Sequence, residues 1–428
     1  MAYDRKRSDG YDFSTYAQLF QLYSSHFKLS RAQTGRAIVE LIDECRDPAT
    51  TNALRSVIGH PGKLVPGMSR GRGFTRRQET YATLLHSMAA LATTWKPADT
   101  DFLARRETGR MFDHLLADDN WRGRPMLTLF KAAETYLFRA RAALEGPAME
   151  IGFQAGRHSR LVFTPGTIDI GFDLAPLALL EAKREGCSSF LVSGDVYALP
   201  FADACLKTVA MVHTIDDCQR GAAPALAEVA RVLAPGGRAV FSGFTDKFRD
   251  ASLAFRLDST GARFARWHQG IDSFFDREGW HAVARQAGLE VEYYIEFVPE
   301  WMVVILEPIL LLEKWLLNRG GVSAPAGEPM PFGLRKGLRK VAEATWIGAD
   351  GGRGAEFFMV ARKPGQGLPR PVALACPVCP DRPPLAGVPG RERTLGCGQC
   401  GTLYPLLGDI PVLHPEMREF AERWPPSS

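Results

Sequence analysis

The sequence predicts an α/β protein: a largely parallel sheet of seven strands, preceded by helices and followed by a small cysteine-bearing segment. Three observations lead there. From about residue 148 to residue 362, short apolar runs alternate with amphipathic helical patterns, the texture of βαβ units. Glycines cluster directly after the first of those runs, where a backbone must turn tightly. Two Cys-x-x-Cys pairs, Cys376 with Cys379 and Cys397 with Cys400, follow the last run.

Composition narrows the classes. With 428 residues, 46% hydrophobic and 23% charged, the chain has enough apolar material for two or three globular domains, so disorder is not expected. A net charge of +4 is too small to imply nucleic acid by itself. The opening "MAYDRKRSDG" has no apolar core of a secretory signal, which makes a reducing, cytoplasmic setting the expectation. Cys45, Cys187, Cys205 and Cys218 stand singly and read as small buried hydrophobes. The most apolar stretch, "WMVVILEPILLLEKWLL" from Trp301 to Leu317, is shorter than the ~20 residues a bilayer needs. It also contains Glu307, Pro308, Glu313 and Lys314, so no crossing is predicted.

Residues 1–140 read as a helical N-terminal domain. Tyr81, Leu84, Leu85, Met88 and Leu91 recur at helical spacing, as do Leu127, Phe130, Ala133, Leu137 and Ala140. Between them, Arg55 to Gln78 carries six Lys or Arg, no acid and five glycines. Two readings stand for that loop: a solvated loop or gate, and an RNA contact for which Phe74 is the only stacking aromatic.

Residues 141–365 carry the strands, in order "AMEIG", "TIDIGFD", "SSFLVSGD", "TVAMVH", "RAVFSGF", a run ending in "VEYYIEF", and "AEFFMVARK". In "APALAEVARVLAPGG", Gly236 and Gly237 are expected to stop a helix before the fifth strand. "KPGQGLPRP" reads as a linker, and residues 366–428 as a third, small domain.

Parallel sheets bind ligands beyond the carboxyl ends of their strands. Gly152 and Gly156 shape the turn after the first strand. Asp173 ends the second, placed to accept both hydroxyls of a ribose; Asp195 ends the third, an acceptor for an exocyclic amine beside the Val196 N–H. Together they suit one adenosine. The G-x-G-x-x-G spacing that seats a dinucleotide pyrophosphate is lacking in "GFQAGRHS", which disfavours a nicotinamide dehydrogenase.

"EIGFQAG", "GFDLAP", "GDVYALPF" and "LAPGGRAVF", in that order, resemble the class I S-adenosylmethionine-dependent methyltransferases, of the type 11-like group acting on small molecules, lipids and quinones. The resemblance covers Ala148 to Arg362 and implies a Rossmann-like, seven-stranded methyltransferase sheet with S-adenosyl-L-methionine as cofactor. It further implies that Glu150, Gly152, Gln154, Gly156, Asp173, Leu174, Asp195, Val196 and His213 surround that cofactor. Gln154 departs from the family, which usually has glycine there, so its side chain must point away from the cofactor. His213 with Asp216, beside Asp217, sits where a general base would act; in the alternative, His213 lines the pocket and the aspartates cap the next helix.

The two cysteine pairs lie seventeen residues apart, a spacing that suits four thiolates closing the shell of one structural Zn²⁺, with a disulfide pair as the alternative. The segment ending "YPLLGDIPVLHPE" is similar to the zinc ribbons that include the activating subunit of tRNA and protein methyltransferases, though Asp409 stands where glycine is usual. His414 is a spare ligand that four thiolates make unnecessary. The resulting expectation is methyl transfer to a small-molecule or lipid-like acceptor. The alternatives are an RNA or protein methyltransferase docking its substrate through ribbon and basic loop, and a non-catalytic scaffold. Residues 300–320 suit a lid, a dimer face, a peripheral membrane patch, or plain packing against the N-terminal helices.

Overall fold

The computed structural model describes residues 102–118, 121, 125–164, 166–186, 188, 190–218, 220–252, 273–300, 302–304, 307, 332–346 and 354–415. The basic segment 55–78, the stripe from Tyr81 to Leu91, Cys45, Cys187 and most of 301–317 lie outside the described residues.

Elements run α1 (Phe102–Ala117), α2 (Pro125–Arg141), β1 (Ala148–Ile151), α3 (Ser159–Val162), β2 (Ile170–Asp173), α4 (Pro176–Arg184), β3 (Phe190–Gly194) and β4 (Leu206–Met211). They continue α5 (Ala222–Val232), β5 (Leu233–Phe244), α6 (Asp246–Ala251), α7 (Arg277–Gln286), β6 (Glu290–Pro299), α8 (Phe332–Ala344) and β7 (Gly354–Arg362). Four short strands close the order: β8 (Leu385–Gly387), β9 (Thr394–Cys397), β10 (Leu403–Leu407) and β11 (Ile410–Leu413).

The chain divides into two compact units. The first draws on those described residues that fall within 102–136, 246–252, 296–346 and 354–356. Within it α1 meets α8: Arg335 and Arg339 both reach Asp113, at 2.7 and 3.0 Å, and a Cβ on Gly109 would lie 2.8 Å from the Glu343 side chain. The predicted stripe on α2 is only part of its buried surface. Phe130, Ala133 and Leu137 are buried and Ala140 is exposed, but Thr128, Ala132, Glu134 and Thr135 are buried too. A helix covered on several sides shows no single stripe. Met302, Val303, Val304 and Glu307 are also buried, so these four offer nothing to a membrane surface.

The second unit comprises described residues 137–245, 273–295 and 357–415 and holds the sheet. Strand order is β6-β7-β5-β4-β1-β2-β3-β11-β10-β9-β8. Seven strands were expected, and the same sheet continues through the four strands of the cysteine segment to eleven. Strand β1 is central, pairing in parallel with β2 (Met149 opposite Ile170) and with β4 (Met149 opposite Val209). All four residues of β1 and of β2 are buried, as expected of parallel strands covered on both faces. The chain leaves β1 toward β2 and β3, then returns to β4 on its other side. That reversal opens a crevice at the carboxyl ends of β1 and β4.

Helix α5 ends earlier than expected. It stops at Val232, with Leu233 already extended, four residues before Gly236. Pro235 disfavours a helical conformation at Ala234, and Gly236, at φ 81°, turns the backbone inside β5 instead. Around the sheet, Trp280 of α7 is fully buried, 4.4 Å from the Phe357 ring, and donates its indole N–H to Phe244 O at 3.1 Å.

Candidate active site

The crevice is shaped first by Gly152. At φ 80° it lies in the left-handed region, and a Cβ there would sit 2.2 Å from Thr214 Oγ1. The turn therefore admits only glycine. Two residues on, Gln154 also has positive φ, 50°, and is exposed. Gly156 (φ 68°) closes the turn, donating its N–H to Phe153 O at 2.9 Å.

Asp173 at the end of β2 is buried and holds that turn. Its carboxylate accepts from Gln154 N at 2.7 Å and from Ala175 N at 2.8 Å. Burial raises its pKa and the two backbone donors oppose the rise. Leu174 follows, 63% exposed, an apolar face at the rim of the crevice. Glu150, inside β1, is buried.

Asp195 directly follows β3 and caps a short 3₁₀ turn, Val196–Ala198, by accepting from Tyr197 N at 2.9 Å. Its other oxygen accepts from Arg220 at 2.5 Å. The Arg220 guanidinium also lies 3.9 Å from the centre of the Tyr197 ring, and Tyr197 in turn accepts from Arg220 N at 2.6 Å. Burial is the main cause that pushes the Tyr197 phenol up to about 12, so it stays protonated at neutral pH. Val196 is half-buried beside Asp195.

His213 lies two residues beyond β4, with φ 46°, a conformation rare outside glycine. Three contacts hold it there. Its N–H donates to Ser242 Oγ at 3.1 Å, its ring meets Phe244 edge to face at 4.6 Å, and Nδ1 lies 3.3 Å from Asp216 Oδ2. Asp216 is 1% exposed, and its Oδ1 has no hydrogen-bond partner among the described residues. The N-cap of α5 is Gly221, so neither Asp216 nor Asp217 occupies that position.

At the other end of the chain, the Sγ atoms of Cys376, Cys379, Cys397 and Cys400 lie within 4.8 Å of one another, and two of the pairs are 3.7 Å apart. A thiolate tetrahedron about 2.3 Å from a zinc ion has edges of about 3.8 Å, so the set fits one metal and is far too open for a disulfide. Strand β11 pairs in parallel with β3, Val412 opposite Ser193 and Leu413 opposite Gly194. Arg382 bridges to Glu228 at 3.2 Å, and Cys376, Cys379, Cys397, Tyr404 and Leu413 join one apolar core with Val192, Leu199 and Phe201. His414 lies with Ser193, 3.1 Å away, rather than in the thiolate set.

Sequence reasoning missed Thr214, Ser193, Tyr197 and Arg220. A hydroxyl one residue past His213 was a usable signal for the first. For Arg220, a lone cation before a helix, the sequence carried no signal.

Glycine turn and strand-end carboxylates lie together at the carboxyl ends of adjacent parallel strands in an α/β domain. Residues 149–241 match a family described as a methyltransferase domain. Demethylmenaquinone methyltransferase of Tropheryma whipplei is 31% identical over 118 residues, 26% of this chain and 46% of that protein. The chain thus spans less than half the length of the curated relatives it matches. Among solved structures, one reported as a complex between the Haloferax volcanii Trm112 methyltransferase activator and a methyltransferase is 15% identical, covers 59% of this chain and 98% of that one, and has a TM-score of 0.37. A S-adenosylmethionine-dependent methyltransferase of Thermotoga maritima, described as a possible histamine N-methyltransferase, is 19% identical, covers 59% and 99%, and has a TM-score of 0.36. Among the described residues, no helix is long and apolar enough to cross a membrane.

Proposed function

We propose that this protein transfers a methyl group from S-adenosylmethionine to a small, lipid-like acceptor. The observation that carries the proposal is the row of carboxylates, Glu150, Asp173 and Asp195, on three adjacent parallel strands or directly after them, within or beside the matched methyltransferase domain. Asp173 and Asp195 would hold the ribose and the exocyclic amine, Val196 N–H a ring nitrogen, and exposed Leu174 the face of the base. The buried Oδ1 of Asp216, without a hydrogen-bond partner among the described residues, adds a further acceptor, and a row of acids suits a cationic sulfonium. The cofactor supplies an electrophilic methyl group when bound.

The chain's own work is alignment and proton removal. With Nδ1–H donated to Asp216, His213 presents Nε2 as the proton acceptor, so a hydroxyl or an acidic carbon of the acceptor can give up its proton there. Curated relatives named for demethylmenaquinone support a quinone-like acceptor. The four cysteines are proposed to bind a structural Zn²⁺, since four thiolates leave no open position for chemistry.

The test is calorimetry with S-adenosylmethionine and its demethylated product, followed by transfer of a labelled methyl group to a lipid extract and to total RNA. Heat of binding with label in the lipid fraction is expected. No heat with either nucleoside overturns the proposal, and label in RNA alone overturns the acceptor class.

A further inference from the structure

Strand β3 has a neighbour on each side, β2 within the methyltransferase domain and β11 from the cysteine ribbon. Ser193, on β3, is fully buried, and its hydroxyl touches both sides. It donates to the carbonyl of Leu174 at 3.2 Å and lies 3.1 Å from His414 Nε2. A hydroxyl has one proton. With that proton on the Leu174 carbonyl, His414 must be the donor, so Nε2 carries hydrogen and the order runs His414 N–H to Ser193 O–H to Leu174 C=O.

The relay ends at the rim of the crevice. Leu174 follows Asp173 directly, and Ser193 precedes Gly194 and Asp195. A Cβ on Gly194 would come within 3.2 Å of Leu413 O, so ribbon and strand are in close contact one residue before Asp195. The ribbon is therefore bonded to the backbone from which both the ribose carboxylate and the adenine face project.

We propose that His414 is a positioning residue for the nucleoside end of the cofactor site, fixing the turn after β2 through Ser193 and thereby tying cofactor affinity to the docked ribbon. This rests on the cofactor assignment made above. His414 touches no cofactor in this scheme; it acts by removing freedom from the Asp173–Leu174 turn.

The experiment is calorimetry of full-length protein with S-adenosylmethionine and its demethylated product. It compares the unaltered chain with His414→Ala, Ser193→Ala, both together, and His414→Gln, whose amide can still donate. Bound metal and the melting temperature are measured alongside. His414→Ala and Ser193→Ala should each weaken binding about 3- to 10-fold, the span of one lost hydrogen bond. The double variant should be no weaker than either single one, because the two groups form one relay. His414→Gln should restore most of the affinity, with metal content unchanged throughout. Undiminished affinity in both alanine variants overturns the proposal, and so does additive loss in the double variant. Should His414→Ala lose its metal or fail to fold, Ser193→Ala decides alone. Failure of the unaltered chain to bind either nucleoside instead overturns the cofactor assignment.

Discussion

The guanidinium of Arg220 stands on the carboxylate of Asp195, 2.5 Å from Oδ2, with its central carbon 3.9 Å from the centre of the neighbouring Tyr197 ring. A flat, donor-bearing group thus occupies the carboxylate to which the adenine amine is assigned. Under the proposed function, Arg220 would have to release Asp195 before a nucleoside takes its place. Its side chain is largely exposed, so the ion pair is worth at most about 1 kcal/mol. Arg220→Ala should therefore tighten cofactor binding by up to about fivefold in calorimetry. Weaker binding would instead make Arg220 part of the pocket.

Gly152 permits the sharpest structural prediction. Gly152→Ala puts a methyl group 2.2 Å from Thr214 Oγ1 and a side chain at φ 80°. Overpacking costs about 1–3 kcal/mol and left-handed backbone about 1–2 more. The denaturation midpoint should fall accordingly, and adding Thr214→Ala should recover the overpacking share.

Proton transfer is probed through Asp216. Asp216→Asn keeps the shape but offers His213 Nδ1 an amide in place of a carboxylate, which changes the tautomer and removes the charge that stabilises an imidazolium. The turnover number should fall by about 100-fold or more, with cofactor affinity nearly unchanged. An acceptor already ionised at neutral pH would show no such drop.

Asp173 links pH to both binding and folding, with opposite signs. Burial raises its pKa above the ordinary value of about 3.9. The ionised form is the one that accepts from several donors at once, so cofactor affinity should fall as pH drops through the raised value, earlier than an ordinary carboxylate would allow. For folding, a raised native pKa contributes stability that is complete below the unfolded value and is lost as pH rises through the native one. Binding constants and unfolding free energies measured over one pH series should show the two slopes.

Metal removal should reach beyond the ribbon. Chelation is expected to lower the melting temperature and to release the amides of β3 to hydrogen exchange, because β11 depends on a segment too small to hold its own core. Protection at β3 that survives chelation would show the ribbon folds without metal.

Much of the central sheet was legible, because period and punctuation there are set locally: each strand contains a short apolar run, and β1, β2 and β3 are ended by glycine or aspartate. Asp173 and Asp195 were legible for the same reason, lying at or just past strand ends. The end of α5 was misplaced because Pro235, directly before the first glycine, acts on the residue ahead of it and so earlier than that glycine does. The extension from seven to eleven strands was hidden, since pairing of Val412 with Ser193 joins residues remote in sequence. Nothing in either local pattern announces the other. His414 shows the same limit: its composition suggests a metal ligand, and only the pairing of β11 with β3 brings it to Ser193.

The pairing of β11 with β3 also sets a schedule for synthesis. Ser193 leaves the ribosome 221 residues before His414. At about 5–20 residues per second, roughly 10 to 45 s pass in which the flank of β3 is bare. A bare parallel strand invites pairing with another nascent chain. Ribosome spacing thus bears on the yield of folded protein, through the arrival time of one late strand.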